Sequence, residues 1–510
     1  MGTLVLNMGL KSIRSIIFDE QGNKLASSSL PIETKIRGNY VTQDGKEWWR
    51  KALQVIKATI EDANVRKRVR HFTVTSSSSC LLPISPTGEP LCDAIMVSDT
   101  RAQFESDNIS GLAEFQETYQ NVGLACDPYL MLPKILWIKN NKPEIYERTY
   151  KFLSPNDFFI GMLTKEYVTD EFNAQKYHYD IHRKQYPVKL LHKLEIPLSS
   201  LPDVVPAGQV IGDLTTEMKT VFGFAEDVSV VVSSYDAICA FIGSGPKDES
   251  EVCDVSGTVT SLRAFTRKDI KDPKNRLLAT PFQSIGLNIV GGSNNLGGGL
   301  IEWVKQCYYS NETYPYEVME MEARQSVEGA HGLVFLPYLM GERVPLWDTD
   351  ARGVFFGIER THMRRDMARA VFDSTGYVIR QIIEVMQEFD MSVKRIRLSG
   401  GLARVNLISQ IKADVTNMEV IVVDEFETTA LGAAILVGFG TKQYSSIFDG
   451  AAACVRERMI IMPNYKNQQI YNEMFELFKE SYLSLKSLFN KRITTVKRIY
   501  SERQEKIENL

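Results

Sequence analysis

Two stretches of this chain open the same way, and that repetition constrains the fold more than any other feature. Near the N-terminus an apolar run over 3–7 passes through a turn at 9–12 into a second apolar run over 13–18. At residue 252 the pattern returns, with apolar positions in 252–256, a turn at Gly257 and a further run over 261–265. Short apolar runs bounded by small-residue turns read as strands, so each stretch predicts a strand–turn–strand unit. The breaker-rich segment Gly245-Pro246-Lys247-Asp248-Glu249-Ser250-Glu251 precedes the second copy and marks a domain boundary. The echo is one of pattern and not of identity. It predicts two domains that start alike, which 510 residues suffice to build.

Strands alternate with helical patterns along the rest of the chain, which indicates an α/β protein. Asp44-Gly45-Lys46-Glu47 has capping-box spacing and opens a helix with the apolar stripe Trp49, Leu53, Ile56 and Ile60. A strand over 72–75 runs into four serines, Ser76, Ser77, Ser78 and Ser79. Residues 130–165 read as helices with Pro133, Pro143 and Pro155 near their starts. Weak periodicity and four prolines make 176–215 an expected excursion across the domain surface. A helix from about 364 turns Met367, Val371, Val378, Ile382 and Met386 inward. The small-residue helix Leu431-Gly432-Ala433-Ala434 is expected to pack against the glycine turn at 400–401. The last long helix carries Met474, Phe478, Tyr482, Leu485 and Phe489 on one face, and 490–510 is expected to fray.

Composition narrows the class of protein. With 44% hydrophobic residues, 24% charged residues and a net charge of −4, the chain reads as an ordinary globular protein. It has no broad basic excess, so no nucleic-acid partner is expected. No 18 apolar residues run together and no basic leader opens the chain, so neither a membrane span nor a signal peptide is expected. The seven cysteines form no CxxC pair and read as reduced thiols, which suggests a cytoplasmic location.

Two places suggest chemistry. Asp236 follows the apolar strand over 228–232 and the turn Ser233-Ser234-Tyr235. A carboxylate there is either a general base or the N-cap of the small-residue helix that follows. Gly257-Thr258-Val259-Thr260 reads either as a phosphate cradle of backbone N–H groups and hydroxyls or as an ordinary hairpin turn. Gly400-Gly401, after a strand and before a helix, suits close approach to an anion. Together these features suggest phosphoryl transfer to a hydroxyl.

At this point the chain resembles a known family. Gly353-Val354-Phe355-Phe356-Gly357-Ile358, followed after seven residues by Asp366-Met367-Ala368-Arg369-Ala370-Val371-Phe372-Asp373, is similar at every constrained position to the C-terminal signature of the FGGY carbohydrate kinases. The segment 129–137 is similar to the N-terminal signature, with Met131 where Pro, Ser or Thr is usual. Segments 98–102 and 336–343 are further landmarks. The resemblance implies an α/β fold of two actin-like/ribonuclease-H-like domains with a cleft between them. It implies a sugar-binding domain over 1–246, a nucleotide-binding domain over 247–440 and a helical extension over 441–510. The implied activity is ATP-dependent phosphorylation of a sugar or polyol hydroxyl, here a ketose or related polyol, with ATP and Mg²⁺ as cofactors. The implied partners are that small molecule and a second copy in a homodimer, with no nucleic acid or membrane.

The resemblance also implies roles. Asp236 becomes the general base and a substrate contact. Gly257, Thr258 and Thr260 hold nucleotide phosphates, Gly298 and Glu302 lie on a helix near the nucleotide, and Gly400, Gly401 and Asn406 form the adenosine turn. Ser78 and Ser79 stand where glycerol kinases carry Arg-Glu and xylulokinases Met-His, so they would read the substrate and glycerol is not expected. Asp99, with Arg101, is either a substrate contact or half of a structural ion pair. The first phosphate turn departs from the family's Asp-x-Gly-Thr-x-Ser: it reads Asn7-Met8-Gly9-Leu10-Lys11-Ser12, with Arg14 retained. Gly9, Lys11, Ser12 and Arg14 remain expected nucleotide contacts, and Asn7 the metal position, acting through water. Asn7 and Leu10 also motivate the alternative of a catalytically weak or inactive pseudokinase that binds sugar or nucleotide.

Overall fold

The computed structural model describes residues 1–257, 259–295, 297–424 and 427–508, with side chains described to residue 500. The N-terminal apolar run becomes β1 (Gly2–Met8), buried at every position. It pairs antiparallel with β2 (Ser12–Asp19) on one side and parallel with β4 (Val69–Ser76) on the other. The sheet is completed by β3 (Lys24–Pro31), β5 (Val210–Asp213) and β6 (Ser229–Val231), in the order β5-β6-β4-β1-β2-β3. A strand at the centre of such a sheet is covered on both faces, which is why β1 is apolar almost throughout. The edge strand β3 alternates exposed and half-buried residues along most of its length.

The repeat at 252 is realised in topology. β7 (Glu251–Ser256) pairs antiparallel with β8 (Thr260–Thr266) and parallel with β10 (Arg395–Ser399). β9 (Leu287–Ser293) lies beyond β8, while β11 (Glu419–Val423) and β12 (Glu457–Ile461) continue the other side. Each sheet thus has a central strand with its hairpin partner on one flank and a parallel strand on the other.

Two compact units result. The first holds Met1–Gly245, Pro281–Gly286 and Glu427–Val455, and the second holds the remaining described residues. This differs from a linear division at 246 and 440 by placing Pro281–Gly286 and Glu427–Val455 with the first unit. The Thr428–Gly440 helix, expected to pack on the Gly400 turn, lies along the Asp236–Gly243 helix of the first unit. A Cβ on Gly432 would run into the carbonyl of Cys239, and one on Gly243 would run into that of Thr428. The two helices touch backbone to backbone, and only glycine permits that.

Other local expectations shift. Asp44 caps the Gly45–Thr59 helix through the N–H groups of Lys46 and Glu47. Its buried face is Trp48, Ala52, Val55, Ile56 and Thr59; of the expected stripe Ile56 and Ile60 are buried, and Trp49 and Leu53 are half-buried against the same cluster. Wholly buried Trp48 donates its indole N–H to Gln43 Oε1 at 2.9 Å, so its one polar atom is satisfied in the core. Segment 176–215 is not a surface excursion: Tyr177, Tyr186, Leu190 and Leu191 are buried in an apolar cluster, and β5 joins the main sheet. The Arg364–Glu388 helix buries Val371, Val378, Ile382 and Met386 as expected, with Met367 half-buried. The final helix runs unbroken over Gln468–Glu508, so 490–508 continues it. Among the described residues no helix is long and apolar enough to cross a membrane.

Candidate active site

In the first unit, hydroxyl groups carry the contact between β4 and the chain entering Asp236 past the end of β6. Backbone pairing of β6 with β4 covers only Ser229 opposite His71 and Val230 opposite Phe72. Beyond it, Thr73 Oγ1 donates to the Val231 carbonyl at 2.7 Å, Ser233 Oγ to that of Val74 at 2.5 Å, and Thr75 Oγ1 to that of Ser234 at 2.9 Å. Ser234 Oγ donates to Asp170 Oδ1 at 2.8 Å. The turn before Asp236 is therefore latched from two sides.

Asp236 is the first residue of its helix and Tyr235 is the N-cap, so the carboxylate does not act as the cap. It is half-buried, and its Oδ2 accepts a hydrogen bond from Ser77 Oγ at 3.0 Å. A carboxylate in the first turn also gains from the helix dipole. Ser77, which sequence reasoning did not single out, is thus the serine that touches the candidate base. Its signal was only its place in the serine run.

Ser78 is half-buried and Ser79 buried, in the turn that leaves β4. Ser79 has φ +59, and its carbonyl accepts from Lys134 Nζ at 2.5 Å. Lys134, also not singled out, is wholly buried and donates to the Met96 carbonyl at 2.9 Å. Burial lowers its ammonium from 10.5 to about 8. Asp99 is wholly buried, with both oxygens engaged by Arg101 and with Val41 N–H on Oδ2 at 2.5 Å. The Arg101 guanidinium also lies 4.2 Å from the Tyr40 ring and 4.8 Å from that of Trp137. This is the geometry of a structural ion pair.

The first turn is held at its carbonyls: Gln43 Nε2 donates to that of Leu10 at 2.9 Å and Ile32 N–H to that of Lys11 at 3.0 Å. Gly9 N–H donates to the Ser12 carbonyl at 2.9 Å. Ser12 is half-buried, and Leu10 and Lys11 are exposed. Among the described residues the Lys11 amine meets no partner. Asn7 is 3% exposed, and its side chain makes no hydrogen bond among the described residues. It stands directly opposite Arg14 on β2 and Thr75 on β4. Arg14 Nη1 donates to both oxygens of Glu427 at 2.8 Å. An amide with no hydrogen bond to the described residues has a donor and an acceptor to offer a metal-bound water, so the residue present fits the expected Mg²⁺ position.

In the second unit the turn after β7 is clamped. Gly257 N–H donates to the Val259 carbonyl at 3.0 Å, and Gly298 N–H to that of Gly257 at 2.7 Å. Thr260 N–H donates to Asn294 Oδ1 at 3.0 Å. Thr258 lies outside the described residues. A Cβ on Gly298 would sit 2.9 Å from the Gly257 carbonyl. Gly400 has φ +85, and a Cβ there would sit 2.6 Å from the Ser256 carbonyl. Beneath the turn, wholly buried Lys412 donates to Asp254 Oδ2 at 2.5 Å and to Ser256 Oγ at 3.0 Å. Ser256 Oγ lies 3.1 Å from Thr260 Oγ1. Neither Lys412 nor Asp254 was evident from the sequence.

Further supports surround this turn. Buried Glu342 accepts from the N–H groups of Asn295 at 2.9 Å and Arg343 at 2.8 Å. Glu302, four residues after Gly298 on the Gly298–Tyr308 helix, pairs with Lys305 and accepts from Tyr316 OH at 2.6 Å. The Lys305 contact holds its carboxyl below the usual range. Gly401 and Asn406 are exposed, and Asn406 begins the Asn406–Thr416 helix.

Residues 3–243 match the FGGY family of carbohydrate kinases, N-terminal domain, and residues 255–440 match its C-terminal domain. The chain belongs to the FGGY family of carbohydrate kinases. It is accordingly a phosphotransferase with an alcohol group as acceptor, and kinases of this family use ATP. The chain is 26% identical to a xylulose kinase of Staphylococcus xylosus, over 94% of this chain and 99% of the relative. It is 31% identical to a glycerol kinase of Clostridium beijerinckii, over 87% of this chain and 90% of the relative. Among solved structures it resembles the xylulose kinase from Rhodospirillum rubrum, with a TM-score of 0.88 at 22% identity, over 96% of this chain and 100% of that one. That likeness supports the actin-like/ribonuclease-H-like fold of the two domains.

Proposed function

We propose that this chain transfers the γ-phosphoryl group of ATP to a hydroxyl of a ketose or related polyol, with Asp236 as general base. The observation that carries the reading is Asp236 itself: a half-buried carboxylate at a helix start, not acting as the cap, with one oxygen held and its turn latched to β4. In the proposed step Asp236 takes the proton of the acceptor hydroxyl as that oxygen attacks phosphorus. The bond from phosphorus to the ADP oxygen breaks, giving a sugar phosphate and ADP. Ser78 and Ser79 line the acceptor side, and Asp99 holds Arg101 and the wall around it.

On the donor side Gly257, Thr258 and Thr260 cradle phosphate. Gly298 gives backbone access, Glu302 orders its helix through Lys305 and Tyr316, and Gly400, Gly401 and Asn406 receive the adenosine. Gly9, Lys11 and Ser12 supply the first phosphate turn, with Arg14 fixed by Glu427 and Lys11 adding positive charge. Mg²⁺, when bound, screens phosphate charge, and Asn7 would hold one of its waters. The xylulose kinase relative supports a ketose. The glycerol kinase relative makes glycerol the necessary comparison, although Ser78 and Ser79 replace the Arg-Glu pair. Both relatives are named as kinases, which lends nothing to the pseudokinase alternative.

A coupled ADP-release screen over ketoses, aldoses and polyols, glycerol included, tests the reading. Turnover highest with a ketose or a sugar-derived polyol is expected. Turnover confined to glycerol or an aldose would overturn the substrate class, and sugar binding without turnover on any acceptor would overturn the activity.

A further inference from the structure

The four serines that end β4 do four different things. Ser76 Oγ donates to the Ser77 carbonyl at 3.4 Å, Ser78 is half-buried in the turn, and Ser79 offers its carbonyl to Lys134. Ser77 sends its hydroxyl to Asp236 Oδ2 at 3.0 Å. We propose that Ser77 is a positioning residue for Asp236, fixing one carboxylate oxygen so that the group meets the acceptor hydroxyl in one orientation. The proposal rests on the reading of Asp236 as general base.

Three observations carry it. First, Ser77 is 8% exposed, so water has little access to replace its hydroxyl. Second, both partners are held from behind. Thr75 and Ser233 tie β4 to the turn before Asp236, so the 3.0 Å approach is built into the backbone rather than left to one side-chain rotamer. Third, a hydroxyl donated to a carboxylate favours its ionised form, and that is the form a base needs. Ser77 takes no part in the proton transfer. It keeps Asp236 ready for it.

Replacing Ser77 separates this role from simple packing. Ser77→Ala is expected to lower kcat about tenfold with KM for the sugar little changed, since a hydrogen bond to a charged group is at stake. The acid limb of the pH profile of kcat/KM is expected to move up by about one unit, because that limb reports the free enzyme's base. Ser77→Thr, which keeps a hydroxyl, is expected to restore the limb. Asp236→Asn runs alongside. If Asp236→Asn abolishes turnover while Ser77→Ala leaves the limb in place, the positioning role is wrong and the base stands. If Asp236→Asn retains turnover, the base itself is wrong. Should Ser77→Ala fail to fold, Ser77→Cys reads the same limb with a weaker donor. An unmoved limb in that variant overturns the proposal, and a limb moved upward supports it.

Discussion

The two strand–turn–strand units share a pattern and differ in how their turns are held. The turn after β1 has exposed Leu10 and Lys11, whose carbonyls accept from Gln43 Nε2 and Ile32 N–H, and a buried Asn7 whose side chain makes no hydrogen bond among the described residues. The turn after β7 is gripped by Gly298 and Gly400 and underpinned by Lys412 and Asp254. The same strand–turn–strand motif thus yields one turn tied by its carbonyls to neighbouring chain and one packed against glycines above a buried ion pair. What separates them is how chain from elsewhere meets each turn: through hydrogen bonds to carbonyls at the first, and through close glycine backbone at the second.

The sharpest way to break this contrast is to remove the buried lysine. Lys412→Ala leaves Asp254 charged and unpaired in the interior, which is expected to cost about 3–5 kcal/mol of stability by urea unfolding. A loss no larger than that of an exposed surface lysine would mean the second turn is not underpinned as described. Next comes glycine. Gly400→Ala combines positive φ with a close carbonyl, and about 1–3 kcal/mol is expected. Gly9→Ala is the control, since its Cβ would sit 3.6 Å from the Ser12 carbonyl, an ordinary contact, and a change of at most about 0.5 kcal/mol is expected. Equal losses at the two glycines would erase the comparison.

Glu342 supplies a pH test of the same region. Burial pushes its carboxyl from 4.5 to about 7. The folded state keeps a proton that the unfolded chain releases above pH 4.5, so this group makes unfolding free energy fall as pH rises from 4.5 towards 7. Glu342→Gln is expected to flatten that part of the slope in urea unfolding across this window. Burial shifts Asp157 to about 7 and Glu171 to about 8, so a residual slope of the same sign remains. At the first turn the expected effect is smaller. Asn7→Asp adds charge at the proposed outer shell of Mg²⁺, and the Mg²⁺ concentration for half-maximal rate is expected to fall about tenfold. No change in the Mg²⁺ requirement would remove Asn7 from that role.

Much of this was legible in the sequence where local pattern decides. The repeat, the buried β1 and the inward face of the Arg364–Glu388 helix follow from periodicity alone. Asp236 and the Gly257 turn stood out because a carboxylate or a glycine after an apolar run is chemically conspicuous. The helix after Asp44 shows the limit: the stripe picks out buried Ile56 and Ile60 but misses Trp48, whose burial goes with a partner for its indole, Gln43. Lys412, Lys134 and Ser77 were hidden for another reason. Their roles depend on partners far away in the chain, and nothing around a single buried lysine or one serine among four announces them. The Gly432 helix went to the other domain because its match, Gly243, lay nearly two hundred residues earlier.

The most direct test of the account is turnover by Asp236→Asn beside the parent chain, with sugar and ATP binding measured on the same samples. The account predicts that both ligands still bind while turnover falls at least about a hundredfold, the lower end of what a general base contributes. Turnover within tenfold of the parent, with binding intact, would contradict it.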